Sequence, residues 1–285
     1  MTRHLAAFAL CLAAAFAQPA VQTPRAGCLL GADGSLRPVH GIVGALLAGA
    51  PAVSDVVSAA CSDSLALVKT AASLEVRDGG LKLLARWDAP SGAALFALPR
   101  AGQAGFAYFP STGALVQVGT QSPPRAVLDS QSLGGNLLAI ASPDLLHLIA
   151  LVADTPGLRL IHISVAGGVI ESQTPLEDLA APLALLSDGT VIFADGTGLL
   201  IRPPGATLTR LAPPDVDRPF GARQPVIQRP VVADRHVALP APAVAIGQMG
   251  GQWLAVRLEG GAPVALRLDG ARERTCRIPV MEAAQ

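Results

Sequence analysis

From residue 28 onward the chain alternates short apolar runs with breaks rich in Gly, Pro, Asp and Ser. The clearest unit is Ser187–Arg202. There Thr190–Ala194 and Leu199–Ile201 are runs of strand formers, and Asp188-Gly189 and Asp195-Gly196 are tight-turn pairs. A run, a turn of this chemistry and a second run predict two antiparallel strands. The same rhythm predicts four strands at 56–60, 65–69, 73–77 and 81–87, and four more at 95–98, 106–109, 115–118 and 125–128. Further groups fall at 137–141, 146–152, 158–165 and 169–171, at 183–211, and at 244–246, 253–258, 264–268 and 275–278. Cys28–Arg37 forms an opening strand-turn-strand around Asp33-Gly34, and the small, apolar stretch Gly41–Asp55 reads as a loop or a short helix.

The turns between second and third strands fall near 33, 71, 112, 156, 195 and 260, with spacings of 38, 41, 44, 39 and 65 residues. A period near 40 built from four short strands is the sequence mark of a propeller blade. The predicted fold is therefore an all-β propeller of six four-stranded antiparallel blades, five and seven being the alternatives. Strands from the N- and C-termini are expected to close the ring. The longest gap holds Ala212–Pro242, where seven prolines remove ladder donors, so an insertion is expected around 212–242 within one domain spanning 18–285.

Asp188-Gly189-Thr190-Val191-Ile192-Phe193-Ala194-Asp195 resembles the strand core of NHL-type and YVTN-type propeller repeats, which read Asp-Gly, a few β-formers, then Ala-Asp. Asp154-Thr155-Pro156-Gly157 and Ser111-Thr112-Gly113 look like degenerate versions of the same turns. The likeness departs after Asp195, where those repeats carry an Asn and an Arg-Ile pair and this chain has Gly196-Thr197-Gly198-Leu199-Leu200-Ile201. The resemblance implies a propeller and a binding role, without specifying a ligand.

Composition sharpens the compartment more than the function. Met1-Thr2-Arg3-His4 is basic, Leu5–Phe16 is apolar, and Ala15-Phe16-Ala17 fits a small-x-small cleavage site. This predicts a bacterial secretory signal over residues 1–17, removed before Gln18, and a secreted or periplasmic protein with no membrane-spanning segment after cleavage. Export permits disulfides, and Cys28, Cys61 and Cys276 remain after the signal. Cys28 with Cys276 would staple the two ends of a ring, and Cys28 with Cys61 is the alternative. Basic and acidic residues balance at 21 each, so no global field favours nucleic acid, and a monomer is expected.

The search for chemistry narrows the function classes. No G-x-S-x-G, P-loop, dinucleotide fingerprint, HExxH or CxxC occurs in the chain. His147 and His162 fall on adjacent predicted strands, and Asp144 and Asp188 lie just beyond predicted inner strands, where they read as turn formers. Neither a cofactor nor a metal is expected. Arg218, Arg223, Arg229 and Arg235 make the Pro-rich stretch a candidate anion-contacting interaction loop. The pattern as a whole predicts an exported, non-catalytic propeller that binds another protein or a surface component. The alternatives are a propeller hydrolase or lactonase with a metal in its channel, and a repeat protein without a specific ligand.

Overall fold

The computed structural model describes residues 24–42, 45–100, 102–155, 157–176, 183–194, 198–204, 235–239, 241–250, 253–261, 263–269 and 272–278. The first sheet is β1 (Arg25–Leu30), β2 (Leu36–Ile42) and β3 (Ala45–Ala48). The second is β4 (Val56–Cys61), β5 (Leu65–Thr70), β6 (Ser73–Asp78) and β7 (Leu83–Asp88). Next come β8 (Leu95–Ala97), β9 (Ala104–Phe109), β10 (Ala114–Gly119) and β11 (Arg125–Asp129). The fourth sheet holds β12 (Asn136–Ala141), β13 (His147–Asp154), β14 (Gly157–Ser164) and β15 (Val169–Leu176). The fifth holds β16 (Leu183–Leu185), β17 (Val191–Ala194), β18 (Gly198–Arg202) and β19 (Arg235–Ala238). The last is β20 (Ala243–Gly250), β21 (Trp253–Leu258), β22 (Val264–Asp269) and β23 (Arg272–Arg277). Every sheet is an antiparallel meander with strands in chain order; the first has three strands and each of the others four.

The strands form where apolar residues permit burial on both faces. Leu65–Lys69 is buried throughout, because each sheet has a neighbour on either side. One apolar cluster fills each space between consecutive sheets. Leu67, Leu74 and Val76 of the second sheet meet Ala107, Phe109 and Val118 of the third. Ala26, Leu29 and Val39 of the first meet Met249, Ala265 and Ile278 at the end of the chain. A side chain such as Leu67, with no exposed surface, contributes about 2 kcal/mol by burial.

The first strands of the four-stranded sheets face one another: β4 against β8, β8 against β12, β12 against β16, β16 against β20, and β20 against β4. These are the strands that the sequence pattern places innermost. β1 does not belong to that set. A disulfide joins Cys28 to Cys61 at the end of β4, with 6.0 Å between their Cα atoms, while Gly34 in the β1–β2 turn accepts a hydrogen bond from Val56 N (2.9 Å) at its start. β1 therefore runs antiparallel to β4, as β5 does, and it packs against both β4 and β20, which also touch each other.

Three expectations change. Gly41–Asp55 contains a strand, β3, paired with β2 from Val39↔Ala48 to Ile42↔Ala45; Gly41 at φ 121° permits the close approach, since a Cβ there would clash with Ala45 O. The Pro-rich stretch separates the third and fourth strands of one sheet, so its C-terminal part is the strand β19, which pairs with β18. The ring-seam pairing of Cys28 with Cys276 is replaced by Cys28–Cys61, because β1 lies against β4, whereas Cys276 sits on β23 opposite Ala265.

Candidate binding cleft at the inner edge of the first sheet

A cleft of about 440 Å³ lies between β1, β4 and β20. Its wall includes Cys28, Leu30, Val57, Ile246, Ala255 and Arg257. The register of β1 on β2 fixes which backbone groups face it. Gly31 N donates to Ser35 O at 2.8 Å, so hydrogen-bonded pairs recur at alternate residues and the next is Leu29 with Arg37. Residues opposite Cys28 and Leu30 point the other way. Pro38 has no N–H, and its carbonyl accepts from Gly49 N (2.8 Å); Leu36 bonds Val53 O (2.8 Å) through its N–H and Ala52 N (2.9 Å) through its carbonyl. Cys28 and Leu30 thus direct their own N–H and C=O groups away from β2, into the cleft. Cys28 is only 5% exposed, and an unpaired buried backbone group is costly.

Two side chains distinguish the cleft from a passive gap. Val57 is bulged out of the β4–β5 register between Val56 and Ser58 and is 42% exposed. Arg257, exposed on β21, is the one charged side chain in the wall among the described residues, and no described carboxylate pairs with it. The cleft shares Ala59, Ile246 and Gly247 with a second cavity of about 220 Å³ lined by Ala60, Phe96, Ile140 and Leu185 from the other first strands. Arg257 thus stands beside a space walled by apolar side chains and by backbone.

A polar cleft of about 520 Å³ lies on the outer side of the second sheet. Glu75, with its side chain 2% exposed, is held by two arginines. Arg77 reaches Oε2 from Nε (2.8 Å) and Nη2 (2.6 Å), and Arg86 reaches Oε1 from Nε (2.9 Å) and Nη2 (2.5 Å). Arg77 also donates to Leu81 O (2.7 Å). Strand pairing produces this arrangement, since Glu75 lies opposite Arg86 and so shares its face. Lys69, fully buried on the neighbouring strand, donates to Thr70 O (2.5 Å) and Ala71 O (3.2 Å), and desolvation pulls its ammonium below the usual lysine range.

The aspartates that stand out in sequence cap turns. Asp144 Oδ1 accepts from Leu146 N (2.7 Å) and His147 N (2.8 Å), Asp188 Oδ1 from Thr190 N (2.9 Å), and Asp33 Oδ1 from Ser35 N (3.0 Å). The Ser35 hydroxyl and N–H bonds hold the Asp33 carboxyl at about 2. His147 Nδ1 lies 3.0 Å from Asp144; their hydrogen bond raises the imidazole pKa and lowers that of the carboxyl. His162 pairs with Ile149, two residues along from His147, and the two imidazoles share no hydrogen bond. Arg235 lies on β19 opposite Ile201, whereas Arg218, Arg223 and Arg229 fall outside the described residues, as does the signal segment 1–17. Among the described residues, no group of three or more His, Cys, Asp or Glu side chains converges. No described helix is long and apolar enough to cross a membrane.

Stacked four-stranded meanders whose first strands face one another define the class: this is an all-β protein with the architecture of a β-propeller. A chain of a nidogen/laminin complex, a β-propeller protein, superposes with a TM-score of 0.54 at 14% identity, covering 89% of this chain and 93% of that one. That likeness carries the fold alone. The WD40 β-propeller domain of Doa1 covers 82% of this chain and 86% of its own at 11% identity and a TM-score of 0.45; Hsv2 of Kluyveromyces lactis covers 88% and 85% at 10% and 0.42. No protein-family model matches the sequence, and no curated protein does.

Proposed function

We propose that the chain is an exported, monomeric, six-bladed propeller that acts as a non-catalytic interaction scaffold, with the β1–β4–β20 cleft as its binding face. The apolar clusters between consecutive sheets support six blades, because the last links the sixth sheet to the first. The basic-apolar leader supports export, with Gln18 as the first residue of the mature protein. The observation that carries the reading is the cleft itself, where Arg257, with no carboxylate partner among the described residues, and the exposed Val57 flank β1. Such a site offers affinity to a partner through apolar side chains and one cation.

A photo-crosslinking residue at position 57, in the intact organism, is expected to give a discrete adduct. The same residue at position 169, exposed on β15 away from the cleft, is expected to give none. Adducts of equal yield from both positions, or from neither, would refute a binding face here. Intact-mass analysis of the exported protein checks the start at Gln18.

A further inference from the structure

We infer that the smaller cavity, enclosed by the first strands of the four-stranded sheets, is a receptor site for one small uncharged molecule with an apolar body and a single hydrogen-bonding group. The inference goes beyond the scaffold reading and stands on a different cavity. β4, β8, β12, β16 and β20 all contribute to its wall, with side chains such as Ala59, Phe96, Ala139, Ala184 and Gly247. Among the described residues, no charged, hydroxyl or amide side chain lines it. The polar part of the wall is main chain. Ser62 N donates to Leu65 O at 2.7 Å, so the next hydrogen-bonded pair is Ala60 with Leu67, and Ala59 directs its N–H and C=O away from β5. Leu186 N donates to Thr190 O at 2.9 Å, and by the same alternation Leu183 and Leu185 direct theirs away from β17. β4 and β16 are edge strands of their sheets, so these groups face the cavity that the three residues line.

This wall sets the chemistry of what it can hold. An ion placed there would lose its water without meeting a side chain of opposite charge, which selects against carboxylates and ammonium groups. A hydrocarbon would cover the main-chain groups of Ala59, Leu183 and Leu185 without replacing their bonds to water. A molecule with one hydroxyl, amide or ring N–H on an apolar body answers both demands. Size narrows the class further. The cavity measures about 220 Å³, and an apolar cavity of roughly 150 Å³ is enough to hold benzene. The ligand is thus a single substituted ring or a molecule of that size, and Phe96 gives the wall an aromatic surface for it.

The test is calorimetric titration of the full mature chain with phenol, toluene, benzoate and benzylamine at pH 7. Phenol should bind saturably at one site, about fivefold tighter than toluene and at least tenfold tighter than either ion. No saturable binding of phenol would overturn the proposal, and so would equal binding of any of the other three. The place of binding is read on the unaltered protein by NMR, where the ring protons of phenol should give Overhauser contacts to the methyl groups of Ala59, Ala139 and Leu185. Contacts elsewhere, without these, would overturn it too. Ala139→Leu and Ala184→Leu fill the cavity from two different strands, and each should weaken phenol binding at least tenfold with an unchanged circular dichroism spectrum. Undiminished binding in a folded filling variant would sink the assignment, and if both variants lose their fold the Overhauser contacts decide alone. A position-57 crosslink without phenol binding would remove this site and leave the scaffold reading standing; phenol binding without the crosslink would do the reverse.

Discussion

Removal of Glu75 tests whether a buried ion triad holds together β6 and β7, the outer strands of the second sheet. Its carboxylate is 2% exposed, with Arg77 at 12% and Arg86 at 58%. Glu75→Ala leaves the Arg77 guanidinium largely buried with Leu81 O as its remaining partner, and breaking a buried pair in this way costs about 3–5 kcal/mol. Arg86 can swing into water, so its half of the triad is worth about 0–1 kcal/mol. The expected loss is about 3–4 kcal/mol for Glu75→Ala, somewhat less for Arg77→Ala, which leaves the carboxylate with Arg86, and below about 1 kcal/mol for Arg86→Ala.

Equilibrium guanidinium denaturation followed by circular dichroism, with the disulfide intact, measures this ranking through the midpoint at constant m. At roughly 2 °C per kcal/mol for a chain of this size, Glu75→Ala should lower Tm by about 6–8 °C. Replacing Glu75 and Arg77 together by Leu should recover more than half of the loss, because no charge is then stranded. An Arg86→Ala cost equal to that of Glu75→Ala would refute the argument, since it would place the energy in the exposed arm. So would a double variant as unstable as the single one.

Three further outcomes follow from the geometry. Cys28→Ala/Cys61→Ala opens a loop of 33 residues and should cost about 3–4 kcal/mol by chain entropy, read as a lowered denaturation midpoint matching that of the reduced protein. A Cβ at Gly105 would stand 2.6 Å from Leu98 Cδ2 and 2.8 Å from Ala97 O, so Gly105→Ala should cost about 1–3 kcal/mol in the same assay. The His147 imidazole should titrate above 6.5 by NMR and return to about that value in Asp144→Asn. The raised imidazole stabilises the fold fully below about 6.5 and stops doing so as pH rises through its folded pKa. The lowered Asp144 carboxyl contributes above about 3.8 and stops doing so as pH falls through its folded pKa. The pair therefore helps most between those two values.

The meanders were legible in the sequence because each hairpin needs two things that a sequence displays, a run of strand formers and a turn pair. Leu65–Lys69, Ser73–Arg77 and the Ala71-Ala72 connection illustrate this, as β5 and β6 differ from the expected bounds by one residue each. β3 escaped notice since Ala45-Leu46-Leu47-Ala48 is short and helix-permissive, and only its pairing with β2 makes it a strand. The Glu75 triad and the place of Arg257 in the cleft wall could not be read, because strand register and sheet stacking, rather than spacing, set them. Glu75 and Arg86 are eleven residues apart with nothing between them to mark the match.

Several cross-links gather at one junction, between the first sheet and the second, in addition to the apolar cluster they share. Cys28–Cys61 joins the two covalently, Val56 N bonds Gly34 O, and Leu36 exchanges bonds with Ala52 and Val53 in the segment leading to β4. Leu81, whose carbonyl receives Arg77, packs in the cluster that Cys28, Leu36 and Val53 share with Ala66 and Val68.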